Sequence, residues 1–262
     1  MSAIADLLRS TGLWLLIAVL LVGCIASTEI GRALGRRSRR ARPEEDKDAS
    51  GLAAAALGLF ALLIAFTYSL SLSRYDARRH EVLEEANAIG TAANYALMLP
   101  ADHRAAVLGL LHDYTGVRLR LGVPYDETKF ARDIAASNAL QSQMWSHAMQ
   151  VTAAEPQSLP AYRFVAALNE MTNISEARVT ALRNHDPATV LVMLIGVAFI
   201  AMGFSGYASA LAGAGRHGAL LVMAATLSLL VALTVDLDRP NRGTITISVK
   251  PLQDALAQLP AA

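Results

Sequence analysis

The chain has 262 residues, of which 54% are hydrophobic and only 17% are charged, and its mean hydropathy is +0.37. This composition is too apolar for an ordinary soluble domain, and the apolar residues are concentrated in blocks. The net charge of +1 argues against a nucleic-acid partner, and the single cysteine, Cys24, rules out an intrachain disulfide. We expect an all-α integral membrane protein with four transmembrane helices.

The first apolar segment runs from Thr11 to about Ile30 and is just long enough to span a bilayer. Its Leu21–Cys24 stretch also matches a lipoprotein cleavage box, which would predict removal of the segment and lipidation of Cys24. The residues before it carry charges of both signs, and an arginine cluster follows it directly. Such flanks resist export, so we expect residues 1–31 to remain as the first span.

Residues 32–50 are rich in arginine and end in a proline followed by an acidic run. This pattern predicts a solvated loop that sets the orientation of the protein in the membrane. Binding of anionic lipid headgroups is compatible with that interpretation. The headgroup candidates are Arg36, Arg37, Arg39 and Arg40.

The second apolar segment, 51–73, turns into a charged stretch that keeps a helical pattern to about Leu99 without a proline. We predict one continuous helix of roughly 70 Å, whereas a bilayer core is about 30 Å thick. Its membrane half is rich in alanine and glycine, which is typical of close helix packing in lipid. Helical spacing then places one polar stripe along it: Thr67, Ser71, Arg74, Arg78, Glu81 and Glu85.

Two interpretations of this stripe remain open. Its hydroxyl groups can bond to carbonyls of their own helix while the charges form exposed ion pairs. Hydroxyl groups followed by alternating charges also suit the wall of a water-filled pathway. In that case the lining candidates are Thr67, Ser71, Arg74 and Arg78.

The insertion, 74–186, is predicted to add three more helices. These run from Pro100 to about Tyr114, where Gly116 breaks the helix, from about Thr128 to Ala154, and from about Pro160 to Arg183. No segment has a convincing strand pattern. We therefore expect a soluble helical bundle between the second and third spans, built on the long second helix.

The third span is predicted over 187–215, with Asp186 as its N-cap and Pro187 at its first helical position. The fourth span, 216–236, ends at Asp236, and Asp238 and Arg239 follow it directly. These residues form either a polar helix end in which Arg239 pairs with the carboxylates, or an ion-coordinating ring in an oligomer.

The C-terminal tail, 237–262, contains two short patterns. Apolar and hydroxyl residues alternate over 244–249, which predicts an extended strip laid against a partner surface. Leu252 to Leu259 is weakly amphipathic and predicts a last helical turn or two.

The chain lacks the motifs of nucleotide-binding proteins, serine hydrolases and zinc proteases. Its six histidines are too far apart in sequence to suggest a metal site. We therefore predict no enzymatic activity, no metal and no cofactor.

Two stretches near the ends of the spans resemble a known family. The first is Leu70–Arg79 together with Glu84–Thr91, and the second is Asp236–Gly243. These match the bestrophin-like domain family of bacterial membrane proteins, most of which have no assigned function. The family-motif candidates are Arg74, Tyr75, Arg78, Arg79, Glu84, Glu85, Asn87, Asp236, Asp238 and Arg239.

The resemblance implies four spans with a helical insertion between the second and third, in the bacterial cytoplasmic (inner) membrane. True bestrophins, which are remote relatives, are pentameric anion channels. By this analogy we expect a homo-oligomer that passes small inorganic ions along its second helix, although the aromatic neck residues of bestrophins are not found here. The alternative is a non-transporting membrane scaffold or sensor whose insertion binds a partner.

Orientation gives conflicting signals. Seven Arg and Lys residues lie between Arg32 and Lys47, which by the positive-inside rule places this stretch in the cytoplasm and the insertion outside. The resemblance implies the opposite, because true bestrophins keep the corresponding insertion and both termini in the cytoplasm. We favour the positive-inside argument, which a reporter fused after Ala262 would test.

Overall fold

The computed structural model describes residues 11–41, 46–122, 126–213, 217–239 and 243–260. Within these ranges the protein is helical and contains no strand, which confirms the all-α prediction. The described helices, numbered here in chain order, are α1 (Leu13–Ala41), α2 (Asp46–Ala96), α3 (Ala101–Arg120), α4 (Glu127–Ala154), α5 (Leu159–Arg183), α6 (Ala188–Leu211), α7 (His217–Asp238) and α8 (Lys250–Gln258).

The described residues fall into two compact units. The first consists of the residues up to Ser73 together with His185–Arg239, and the second consists of Arg74–Asn184 together with the residues after Arg239. We call the unit that contains α1, α6 and α7 the membrane unit, and the unit that contains α3, α4, α5 and α8 the insertion unit. Helix α2 continues from the first unit into the second without a break. Its 51 residues correspond to roughly 75 Å of helix.

Four helical segments are long and apolar enough to cross a membrane, as predicted. They are α1, α2, α7 and the stretch Leu159–Leu211, whose uncharged part is α6. Many large apolar side chains on these helices are exposed, as a lipid environment requires.

Helices α1 and α6 pack with their backbones in direct contact. A Cβ atom placed on Gly31 would meet the carbonyl oxygen of Gly203, and one on Gly206 would meet that of Thr28. The hydroxyl group of Ser27 donates to the carbonyl oxygen of Phe199 across the same seam, at 2.5 Å. Small residues thus allow close approach where lipid supplies no hydrophobic driving force between helices.

The membrane half of α2 buries only a narrow stripe against its own chain. Ala53, Phe60 and Ile64 are buried, and Thr67 and Ser71 continue the same face. Most of the remaining surface is exposed and apolar, through Leu52, Leu59, Leu62, Phe66, Leu70 and Leu72. This helix therefore lies at the periphery of its own membrane unit.

The insertion unit has a core of its own, formed by the second half of α2 with α3, α4, α5 and α8. Ile89, Leu111, Met144 and Phe164 are almost completely buried in it, and Leu252 anchors α8 to the same core. The same unit buries Glu85, Arg118 and Arg178, which are described below.

Helix α1 differs from its predicted end. We expected a loop from residue 32, but α1 continues through most of the arginine cluster to Ala41, and α2 begins at Asp46. Arg32 is buried rather than solvated. It donates to Glu29 Oε1 at 2.7 Å and contacts a ring nitrogen of His217.

Two local predictions are wrong in detail. Gly116 does not break α3, because an interior glycine costs a helix only about 1 kcal/mol. The turn after α3 comes at Gly122, whose φ of 73° is a conformation that favours glycine. Asp186 does not cap α6, which starts at Ala188 without a side-chain cap, because its carboxylate binds another side chain instead. Residues 244–249, which we predicted to form an extended strip, contain no assigned strand and lead into α8, and Ile247 is buried in the core of the insertion unit.

Candidate functional site

The polar stripe of α2 faces its own chain inside the membrane unit. Thr67 Oγ1 donates to the carbonyl oxygen of Leu63 at 2.8 Å. Ser71 Oγ lies 2.5 Å from Asp186 Oδ2 and 3.0 Å from the carbonyl oxygen of Thr67. Thr67 is 5% exposed and Ser71 is 0% exposed, so neither side chain reaches open space within a single chain.

Ser71 contacts a group of buried carboxylates where α7 ends and the chain enters α6. The backbone N–H of Asp186 donates to Asp238 Oδ1 at 2.7 Å. His185 Nδ1 lies 3.2 Å from the Asp238 carbonyl oxygen and 3.9 Å from Asp238 Oδ2. Buried carboxylates are costly and are retained where they are bonded or functional, so this group is a candidate site.

Asp236 and Arg239 belong to the same chain end. Both are buried, and the Arg239 backbone N–H donates to the Asp236 carbonyl oxygen at 3.2 Å. All three charged residues singled out at the end of the fourth span therefore lie inside the membrane unit of one chain rather than on its surface.

In the insertion unit, Arg74 and Arg78 bind the C-terminal end of α5. Arg78 donates from Nε to the carbonyl oxygen of Ala181 at 3.1 Å and from Nη2 to that of Asn184 at 2.7 Å. Arg74 Nη1 donates to Asn184 Oδ1 at 2.8 Å. Cationic side chains at this position satisfy the last carbonyl groups of a helix and complement its dipole.

Glu85 forms the centre of a buried ion cluster. Its Oε1 accepts from Arg118 Nε at 2.5 Å, and its Oε2 accepts from Arg178 Nη1 at 2.5 Å. The three residues are between 0% and 2% exposed and join α2, α3 and α5. Two arginines around one carboxylate leave a net positive charge inside the insertion unit.

A second layer of neutral groups completes the cluster. Tyr114 donates to Glu85 Oε1 at 3.2 Å, and Gln141 Nε2 lies 3.3 Å from the Tyr114 hydroxyl and 3.0 Å from Ser175 Oγ. Burial raises the pKa of Tyr114 well above its usual value of 10.0. The phenol is therefore held in its neutral, hydrogen-donating form.

The other predicted site residues lie apart from these clusters. Tyr75 and Glu84 are half-buried, and Tyr75 packs on the insertion core. Arg79 and Asn87 are exposed, and Arg79 lines a groove with residues of α8. Of the headgroup candidates, Arg36, Arg37 and Arg39 are exposed on α1, and the side chain of Arg40 lies outside the described part of the chain.

Sequence reasoning missed the partners of these residues. Arg118 and Arg178 lie 33 and 93 residues from Glu85, so no local spacing connects them. It also missed a contact between His103 and His147, which lie 44 residues apart in sequence. One weak signal was available for Arg118 and Arg178, because each occupies a position on the buried face of its own helix.

The fold and these clusters define a helical integral membrane protein with an inserted bundle. Residues 17–252 match the Bestrophin-like domain family. The chain therefore belongs to that family, which confirms the resemblance read from the motifs. No functionally curated protein matches it.

Solved structures share the fold at low sequence identity. One is a point mutant of a bacterial bestrophin homologue from Klebsiella pneumoniae, at 15% identity and a TM-score of 0.68, covering 92% of this chain and 99% of that one. A second point mutant of a bacterial bestrophin homologue from Klebsiella pneumoniae gives 13% identity and a TM-score of 0.69, covering 95% of this chain and 98% of that one. These matches extend over nearly the whole of both chains.

Proposed function

We propose that this protein is an oligomeric ion channel of the bacterial cytoplasmic membrane. Membership of the Bestrophin-like family supports this, together with the fold shared with bacterial bestrophin homologues. The observation that carries the proposal is the exposure of α2, whose membrane half buries only one narrow stripe on its own chain. A helix placed in this way is suited to line a central pathway when several copies assemble.

The pathway face that we propose is not the polar stripe. Thr67, Ser71 and Arg78 are buried against their own chain, which supports the interpretation in which the stripe holds α2 to its protomer. The neighbouring exposed face carries Leu59, Leu62, Phe66 and Ser69 at helical spacing. Leu59, Leu62 and Phe66 would make this part of the pathway apolar, and hydrophobic constrictions gate by dewetting.

Cysteine scanning tests this face. The starting protein is Cys24→Ala, because Cys24 is the only cysteine. Single cysteines replace Leu59, Leu62, Phe66 and Ser69 in turn, with Thr67→Cys as the buried control. A charged, water-soluble methanethiosulfonate is then applied during current recording in bilayers.

We expect modification to change the current at exposed positions that repeat every three or four residues, and to leave Thr67→Cys unchanged. Reaction at Thr67 with none on the exposed face would contradict the assignment. Absence of reaction at every position in a conducting protein would show that this face of α2 does not line the pathway.

The non-transporting scaffold or sensor is the second candidate, and the burial of the polar stripe is the observation that favours it. In that function the stripe binds helix to helix and the insertion unit binds a partner. Ion flux from proteoliposomes, with the oligomer mass measured on the same sample, separates the two functions. A monomer without flux would support the scaffold, because four spans can hardly enclose a pore.

A further inference from the structure

Two histidines from different helices face each other in the insertion unit. His103 lies in the first turn of α3, and His147 lies two turns before the end of α4. Their Nδ1 atoms are 3.1 Å apart, and their ring planes meet at 77° with centroids 5.3 Å apart. Both side chains are half-buried, so solvent can reach the pair.

We propose that His103 and His147 bind a single divalent transition-metal ion through their Nδ1 atoms. Zinc bonds to imidazole nitrogen at about 2.0–2.1 Å, so two tetrahedral ligands lie roughly 3.3 Å from each other. The observed separation of 3.1 Å differs from this by only a few tenths of an ångström. Small rotations of the two rings suffice to admit the ion.

The proton inventory of the pair allows this. Without metal, one neutral ring donates its Nδ1–H to the Nδ1 lone pair of the other ring. A metal requires both Nδ1 lone pairs, so the proton of the donor ring moves through solvent to its own Nε2. Both rings stay neutral, and the exchange needs no other reactant.

The ligand set selects the class of ion. Imidazole nitrogen suits zinc, copper and nickel, whereas magnesium and calcium require oxygen ligands. Among the described residues, no third His, Cys, Asp or Glu joins the pair to form a group of three. Water therefore completes the coordination, and the affinity is well below that of a closed four-ligand zinc site.

A bound ion would act as a clamp between α3 and α4. The two helices already pack against each other, and Gln141 reaches the Tyr114 hydroxyl further along the same pair. An ion that binds the folded pair and not the unfolded chain stabilises the fold by mass action.

Zinc binding to the full-length protein in detergent tests the proposal. The protein is stripped with EDTA, the chelator is removed, and zinc chloride is titrated by calorimetry, with magnesium chloride as the ion control. The variants are His103→Gln and His147→Gln, and the matched control is His112→Gln, an exposed histidine on the same helix α3. Glutamine keeps a side chain of similar reach, and circular dichroism confirms that each variant is folded.

We expect one zinc ion per chain, no response to magnesium, and at least a tenfold loss of affinity in each paired variant but not in His112→Gln. Copper bound at the site should show an electron paramagnetic resonance spectrum with coupling to two equivalent nitrogens. Equal zinc affinity in all variants, or no zinc heat in the stripped parent protein, would overturn the proposal.

Discussion

Replacing Glu85 with glutamine should destabilise the insertion unit severely. The carboxylate is completely buried and accepts hydrogen bonds from Arg118, Arg178 and Tyr114. Glutamine keeps the shape but removes the charge, leaving two buried guanidinium groups without a counter-charge. Removing one partner from a buried ion pair costs about 3–5 kcal/mol, which is a large fraction of the stability of a typical domain.

Tryptophan fluorescence can follow this unit alone. Trp145 is half-buried against the insertion core, and the other tryptophan, Trp14, is 78% exposed on α1. A Trp14→Phe parent therefore reports on Trp145 only. Urea unfolding of the full chain at fixed detergent concentration gives the free energy of unfolding from the midpoint and slope.

The adjacent carboxylate supplies the control. Glu84 is half-buried on the same helix, and we expect Glu84→Gln to change the free energy of unfolding by less than about 0.5 kcal/mol. Replacing Glu85, Arg118 and Arg178 together with leucine should recover most of the loss, because a buried ion cluster exchanged for apolar residues is often neutral. An equal effect of Glu84→Gln and Glu85→Gln would refute the reasoning.

Three further predictions concern packing and pH. Gly206→Ala should lower the melting temperature in detergent, because its Cβ would overlap the Thr28 carbonyl group. Overpacking of this kind costs about 1–3 kcal/mol. Gly196→Ala is the control and should not lower the melting temperature, because the space around Gly196 is open. Burial raises the pKa of Tyr114 in the folded state above its usual value of 10.0. The free energy of unfolding that depends on the neutral phenol should therefore be intact below pH 10.0 and fall as the pH rises further. Urea unfolding of Tyr114→Phe at a series of pH values should lack that fall. Hydrogen bonds from the Thr128 hydroxyl, the largest cause, and from the Lys129 backbone N–H lower the pKa of Asp126. Asp126→Asn should therefore reduce the melting temperature at neutral pH. The difference should disappear in acid, where the parent carboxylate is protonated. Equal melting temperatures for the two glycine variants, or unchanged pH profiles for the other two, would contradict these expectations.

The helices were predictable because their patterns are local. Apolar blocks and helical spacing were enough to predict four spans and the continuation of α2 into the insertion. Helix ends were less predictable, because Gly116 was expected to break the helix and does not, whereas Gly122, which lies two residues before a proline, adopts a positive φ. Asp186 also resembled a helix cap, but tertiary contact with Ser71 determined its role.

The site could be predicted only in part. The spacing along α2 correctly grouped Thr67 with Ser71 on one face, but it could not show whether that face meets water or protein. Glu85 was selected because it lies in a family motif, yet its two arginines come from other helices. Contacts between distant segments leave no periodic signal in a single sequence, which is why these partners were missed.

The glycine seam between α1 and α6 has a consequence for biosynthesis. Ser27 and Phe199, which meet across it, are 172 residues apart in the chain. At about 5–20 residues per second, translation would complete α6 on the order of 10 to 30 s after α1. Helix α1 is therefore made before α6 exists, and the small residues of this seam can contact only lipid or other segments until then.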